Sequence, residues 1–166
     1  MNKAIILGMF VFGLILLTAT NTEAIDNISE LSVGAGLTPS SSFYVFDIAY
    51  ESIMGLFAIS GESKARFSIK VAEERLAETE EELRQNKTEN IDVLMQDYQK
   101  SLAKAQAAAE LSENIALIGF VQGKVAKHVS VLEHLKISVS DNVKFGVQTA
   151  LANSQKASEK LGNNSG

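Results

Sequence analysis

The clearest candidates for a chemical role are acidic residues clustered in one stretch of the chain. Positions 73–82 read EERLAETEEE, which places six glutamates at Glu73, Glu74, Glu78, Glu80, Glu81 and Glu82. Carboxylates are the ligands that hard divalent cations prefer, so a cation-binding surface is one interpretation. A run of like charges on a helix is more typical of a solvated face, and we expect that role here.

The two histidines do not have metal-ligand spacing. His128 and His134 are six residues apart, about 240° around a helix, so they cannot share a metal ion from one helix. No glutamate precedes a histidine by three residues, and the chain has no cysteine. The sequence therefore predicts no metal site and no cofactor, and a structural or surface role for both histidines.

Motifs for covalent catalysis and phosphate binding are missing from the sequence. There is no G-x-S-x-G element, and the segments GLTPSS and GES lack the P-loop pattern. We predict no catalytic residue and a protein that is not an enzyme.

One charged set suggests a structural contact. Asp47 and Glu51 lie four residues apart, an unfavourable arrangement on one helix face unless a cation lies between them. Arg75 follows in the next predicted helix, beside Ala72 and Leu76, and its planar guanidinium suits carboxylates. We expect Asp47, Glu51 and Arg75 to form a latch between the two helices. The alternative is two exposed acids and a solvated arginine.

Helical periodicity dominates the elements that position these groups. A short helix is predicted from Ser42 to Phe57, with a stripe facing the core formed by Phe43, Phe46, Tyr50, Ile53 and Phe57. No alternating pattern predicts a strand. The fold class is therefore all-α, an antiparallel helical bundle of about four long helices with a short aromatic N-terminal helix.

The four long helices are predicted at 62–86, 90–113, from Asn114 onward, and 141–161, with Gly162 as the stop. Each carries residues that recur at spacings of three and four and should face the core. They are Ala65, Ile69, Ala72, Leu76, Thr79 and Leu83; Ile91, Leu94, Tyr98, Leu102, Ala105 and Ala109; Leu117, Val121, Val125, His128, Leu132 and Leu135; and Val143, Val147, Ala150, Leu151, Ser154 and Leu161.

The N-terminus reads as an export signal, because Lys3 precedes an apolar run that ends near Ala19. We predict a signal peptide at 1–24 cleaved after Ala24, a flexible lead segment at 25–37, a helical domain at 38–162 and a tail at 163–166. An uncleaved N-terminal membrane anchor is the alternative. No later apolar segment approaches membrane length, so we expect no membrane insertion after signal removal and a secreted or extracytoplasmic location in the cell envelope.

Composition limits the partners. The chain of 166 residues is 46% hydrophobic and carries a net charge of -5, without the basic patch that nucleic acid requires. Protein partners remain, and nucleic acid is excluded. Three N-x-[ST] sequons offer possible glycosylation sites at Asn27, Asn86 and Asn163.

The segments GLTPSSSFYVFDIAYESI and KVAEERLAETEEEL resemble the DUF5667 domain family of exported archaeal and bacterial proteins. The family pattern combines a Pro-Ser turn, a tyrosine, a charged residue, a glutamate and a long A-E-x-R-L-x-E helix. The matching positions are Pro39, Tyr44, Asp47, Glu51, Ala72, Glu73, Arg75, Leu76 and Glu78. A later similarity runs through HVSVLEHL and ALANSQK, so the resemblance covers roughly residues 36–161.

The sequence also departs from the family. Ser42 stands where a second proline is common, Ile48 where a basic residue is common, and the linker AISGES is shorter or more polar than usual. The resemblance implies a fold and no activity. We therefore expect an exported non-enzymatic domain, structural or protein-interacting. An extracytoplasmic binding module for divalent cations or a small apolar ligand is the alternative.

Overall fold

The computed structural model describes residue 34, residues 36–41 and residues 44–163, without the side chains of residues 46 and 47. The predicted signal peptide, most of the lead segment, Asn27 and residues 164–166 lie outside this range. Everything described is helix, turn or irregular chain, so the protein is all-helical as predicted.

Five helices follow one another with short connections. They are α1 (Tyr44–Leu56), α2 (Gly61–Arg84), α3 (Ile91–Leu111), α4 (Ile115–Ser138) and α5 (Asp141–Asn163). Side-chain caps fix two of the starts: Ser60 and Ser63 form a capping box at α2, and Asn114 accepts from the Leu117 N–H at α4. The predicted stop at Gly162 is one residue early, because α5 continues to Asn163.

The four long helices share one hydrophobic core. α2 packs against α3 and α4, and α5 packs against the same two helices, so α2 and α5 lie diagonally opposite each other. Every residue predicted to face this core is buried except Leu83, which is partly buried against it. The periodicity in the sequence therefore identified the inner faces correctly.

The predicted core stripe of the N-terminal helix is wrong where the structure describes it. Tyr50, Ile53 and Phe57 are 59%, 55% and 71% exposed, and we call these three residues the outer stripe. The half-buried positions are instead Tyr44, Ile48, Glu51 and Gly55, which also recur at helical spacing. Gly55 allows α1 to come close to α2, since a Cβ there would lie 3.2 Å from the Phe67 ring.

A second correction concerns α4. By length and composition, Ile115–Ser138 is apolar enough to cross a membrane, so the expectation that no later segment approaches that length is wrong. The observation is weak evidence for a span, because a core helix passes the same test. Leu117, Val121, Val125 and Leu132 are indeed buried against the other helices.

Candidate functional site

The centre of the site is Arg75, in the middle of α2. Its side chain is only 1% exposed and donates to two carboxylates, Glu78 one turn further along α2 and Glu51 of α1. The Tyr44 ring covers the guanidinium, with Cζ 5.8 Å from the ring centroid. One buried cation therefore joins the start and the middle of α1 to α2.

The two carboxylates keep this guanidinium charged. Burial disfavours the charged form, but Glu78 and Glu51 outweigh that effect and hold the pKa of Arg75 above its usual value. Burial raises the pKa of Tyr44 as well, and the nearby carboxylate of Glu78 adds to the rise. The cluster is thus an ion pair shielded from water by an un-ionised phenol.

The structure brings two of the three predicted latch residues together. Glu51 meets Arg75 directly, whereas the side chain of Asp47 lies outside those described. Sequence reasoning missed Glu78, although its position three residues after Arg75 on one helix was a readable signal. The energy that the Glu51–Arg75 contact contributes stays a prediction.

A second anchor ties the turn before α1 to the far end of α2. The Ser40 N–H and Oγ donate to the two oxygens of Glu82, at 3.3 and 2.7 Å, and Asn90 Nδ2 lies 3.4 Å from the same carboxylate. Burial alone raises the pKa of Glu82, but hydrogen bonds from Ser40, Thr38 and Asn90 outweigh it and lower the pKa. The chain around Pro39 is therefore fixed to α2 by a buried carboxylate.

The expectation that the acidic block covers a solvated face is wrong for half of its members. Glu73, Glu78 and Glu82 are at most 3% exposed. Spacings of five and four residues turn through about 140° and about 40° around a helix, so Glu78 and Glu82 lie close together on α2 and Glu73 lies on another side. Lys124 meets Glu73, Arg75 meets Glu78 and Ser40 meets Glu82. These three acids therefore make polar contacts inside the fold.

Glu80 differs from the other acids. Its Oε1 is buried without a hydrogen-bond partner among the described residues, and burial raises the pKa of Glu80 to about 7. Arg84, four residues further along α2, forms an ion pair with Glu81. The fold therefore holds a carboxylate that is easier to protonate than in the unfolded chain.

This gives a pH-dependent prediction. Because the folded pKa of Glu80, about 7, lies above its ordinary 4.5, ionisation of Glu80 weakens the fold progressively as pH rises through that interval. Glu80→Gln should raise the free energy of unfolding by about 1–2 kcal/mol above pH 7 and leave it unchanged below pH 4.5. Urea unfolding at several pH values measures this difference in the free energy of unfolding, and Glu133→Gln at an exposed position is the control. A gain that does not vary with pH would contradict the prediction.

A second polar cluster crosses the bundle core. Glu73 Oε1 lies 2.8 Å from Lys124 Nζ and 3.9 Å from His128 Nε2. On the other side of the imidazole, Nδ1 lies 3.3 Å from the Tyr98 hydroxyl, which is 2.6 Å from Ser154 Oγ. The cluster thus takes side chains from all four long helices and fixes how they are aligned.

The chemistry open to this cluster is limited by burial. His128, Tyr98 and Ser154 are fully buried, so none of the three side chains meets solvent in the folded chain. Within the described ranges, no three His, Cys, Asp or Glu side chains come together to hold a metal ion. His134 is exposed on α4, apart from the cluster. The arrangement is suited to alignment of helices.

An open groove lies next to the Arg75 site. It has a volume of about 880 Å³ and runs between α1, the first half of α2 and the second half of α3. Phe67, Val71 and Leu111 give it an apolar surface, and Lys64 and Lys104 add two cations. The groove adjoins α1 through Ile48, Ser52 and Gly55.

Two predicted glycosylation sites are described. Asn86 lies exposed in the turn between α2 and α3, where its φ of 56° reverses the chain, and Asn163 is exposed at the last residue of α5. Both positions leave the asparagine accessible, and glycosylation itself stays a prediction.

The family assignment follows from the segment that builds the Arg75 site. A family model described as "Domain of unknown function (DUF5667)" matches residues 36–142, more than half of the chain. The chain belongs to the DUF5667 family. Searches among curated proteins and among solved structures give no match.

The DUF5667 motif now has a structural meaning. Its tyrosine, first glutamate, arginine and last glutamate are Tyr44, Glu51, Arg75 and Glu78, which form one contact cluster. Its Glu73 belongs to the polar cluster in the core. The match to DUF5667 ends at 142, so most of α5, including Ser154, lies beyond the matched segment.

Proposed function

We propose that this chain is an exported, non-enzymatic helical domain that acts as a protein-interaction module of the cell envelope, an antiparallel four-helix bundle with α1 as its contact surface. The observation that carries the proposal is the outer stripe. Tyr50, Ile53 and Phe57 are aromatic or aliphatic and more than half exposed, and Val45, Leu56 and Ile59 beside them are also exposed. An exposed apolar patch of this kind is typical of a surface that binds another protein.

The way α1 is attached supports the same conclusion. None of the described side chains of α1 is buried, whereas each of the four long helices buries seven or more. α1 is therefore held mainly by polar contacts at Arg75, with few apolar contacts to hide its own surface. Such a helix presents its apolar side to a partner without disturbing the bundle.

The alternative of a divalent-cation module has less support. Glu73, Glu78 and Glu82 have protein partners, so the acidic block offers few carboxylates to a cation. The groove is the feature that a small apolar ligand would occupy. Charged and hydroxyl side chains make up much of its lining, however, including Glu62, Lys64, Ser68 and Asp97. A protein surface fits this mixed lining better than a small apolar molecule does.

Export rests on the sequence alone. The apolar run after Lys3 and the small residues at Thr22 and Ala24 support cleavage there and release into the extracytoplasmic space. An N-terminally anchored form remains the alternative location, and in both the helical domain faces the envelope.

Photocrosslinking in living cells tests the proposal with a matched pair of residues. Phe57 and Phe145 are 71% and 79% exposed, one beside α1 and the other on α5. Replacing each with benzoylphenylalanine should give discrete protein adducts from position 57 and none from position 145. Adducts from neither site, or equally from both, would refute α1 as the contact surface.

The export part of the proposal is tested by intact-mass measurement on the purified native protein. A mass that corresponds to a chain beginning at Ile25 would support it.

A further inference from the structure

The floor of the groove contains two serines whose hydroxyl groups the fold does not use. Ser68 of α2 and Ser101 of α3 line the groove and are only 8% and 9% exposed. Neither side chain forms a hydrogen bond with any residue that the structure describes. Both oxygens stay open to the groove, unlike the enclosed carboxylate oxygen of Glu80. Each serine therefore has a hydroxyl that can donate to a molecule in the groove.

Other serines in the same protein use their hydroxyls within the helix. The Oγ atoms of Ser52, Ser138 and Ser154 each donate to the carbonyl four residues earlier, at 2.8, 3.0 and 2.8 Å. This bond is the usual way in which a serine inside a helix satisfies its hydroxyl group. Ser68 and Ser101 differ from these serines because their donors remain available at nearly buried positions.

Each of the two groove serines has a lysine one helical turn away. Lys64 precedes Ser68 by four residues on α2, and Lys104 follows Ser101 by three residues on α3. We call these the two Lys–Ser pairs. Both lysines line the groove, and neither forms an ion pair with a described residue. An ammonium group beside a hydroxyl group supplies two donors that suit one oxyanion.

The packing of α2 on α3 brings the two Lys–Ser pairs together. Only residues 85–90 connect these helices, so they run antiparallel. Gly61 sets their register, because a Cβ at this position would lie 3.6 Å from both the Ala108 carbonyl oxygen and the Ser112 Cβ. Counted from this contact in opposite directions, the two serines lie within about one helical turn of each other along the groove, and so do the two lysines.

The carboxylates of the groove lining already have cations as partners. Two of these cations, Arg75 and Lys100, belong to the lining as well, whereas the lysines of the Lys–Ser pairs have no acid of their own. Paired acids neutralise their partners first, so they leave the charge of the Lys–Ser pairs available to an anion. The paired carboxylates are Glu51 with Arg75, Glu62 with Arg66, and Asp97 with Lys100.

We propose that the groove binds a phosphate group between the two Lys–Ser pairs. Phosphate suits this set because its several oxygens can accept from two hydroxyl and two ammonium groups at once, whereas a carboxylate has only two oxygens. Phe67, Val71 and Leu111 give the groove apolar walls against which an attached alkyl chain can lie. The ligand is a phosphate or phosphomonoester, free or as the headgroup of a lipid. The site does not include the outer stripe and is independent of the proposed interaction function.

Isothermal titration calorimetry at constant ionic strength tests the site with inorganic phosphate and with dihexanoyl phosphatidic acid below its micellar concentration. Protein produced from the full-length sequence should bind at least one probe saturably. Ser68→Ala/Ser101→Ala and Lys104→Gln should each raise the dissociation constant by about tenfold or more, because each variant loses hydrogen bonds to a charged group. The controls Lys127→Gln and Ser130→Ala, at exposed positions of α4, should leave it within about twofold.

The two probes distinguish the sources of the phosphate group. Binding of the lipid that is tighter by about tenfold or more identifies a headgroup, since the apolar walls then contribute to the affinity. Equal binding identifies a free phosphate or a small phosphomonoester. Binding of neither probe, or an equal loss in the α4 control variants, would overturn the inference and leave the photocrosslinking test of α1 unaffected. Circular dichroism confirms that each variant is folded.

Discussion

Arg75→Gln is expected to lower the free energy of unfolding by about 3–5 kcal/mol, the cost of breaking a buried ion pair from one side. The substitution leaves the carboxylate of Glu78, whose side chain is 1% exposed, without its cation, and releases Glu51 of α1. Arg75→Lys should recover only part of the loss, since a single ammonium cannot serve both carboxylates in the geometry of the guanidinium fork.

The matched control is Arg84→Gln on the same helix. Arg84 is also paired, with Glu81, but its side chain is 62% exposed, so its loss should cost less than about 1 kcal/mol. Equal urea midpoints for the Arg75 and Arg84 variants would show that burial of Arg75 contributes nothing to stability.

The latch is tested separately by a double-mutant cycle with Glu51→Gln. Residues that act as one unit give a coupling energy of about 0.5–3 kcal/mol, so the double mutant should lose less than the sum of the single losses. Hydrogen exchange in α1 adds a local readout, because Glu51→Gln should speed exchange in α1 and leave α3 protected. Additive losses, with an unchanged α1, would mean that another contact holds the helix.

The second large effect is expected from His128→Ala, at about 2–4 kcal/mol of destabilisation. The fully buried imidazole fills the core between Glu73 and Tyr98, so its removal leaves a cavity and takes a partner from the Tyr98 hydroxyl. Urea unfolding measures the loss.

The chain supplies its own control for this change. His134→Ala removes the other histidine of the same helix from an exposed position, and its effect should stay within about 0.5 kcal/mol. Similar losses for the two variants would refute a structural role for the buried cluster.

Much of the fold could be read from the sequence because helix periodicity is local. The recurrence of Ala65, Ile69, Ala72 and Leu76 at spacings of three and four places them on one face wherever the helix goes. Where such a stripe is the most apolar face of a long helix, it faces the core, and all four residues are buried. The same reasoning placed His128 and Ser154 inside.

Periodicity failed where a helix has two stripes. In α1 both the outer stripe and the positions Tyr44, Ile48, Glu51 and Gly55 have helical spacing, and the more apolar of the two is the exposed one. The face of α1 that turns toward α2 is set by the contact of Arg75 with Glu51 and by the small Gly55 against Phe67. Both are contacts between residues that are distant in the chain.

The acids show the same division between local and long-range information. The sequence by itself determined the helices, the inner faces of the four long ones and the segment that defines the DUF5667 family, because these depend on neighbours within a turn or two. Only the tertiary structure decided that Glu73, Glu78 and Glu82 are buried, since burying a carboxylate is unfavourable until a partner meets it. Two of the three groups that meet them, Lys124 and Ser40, are more than 40 residues away along the chain.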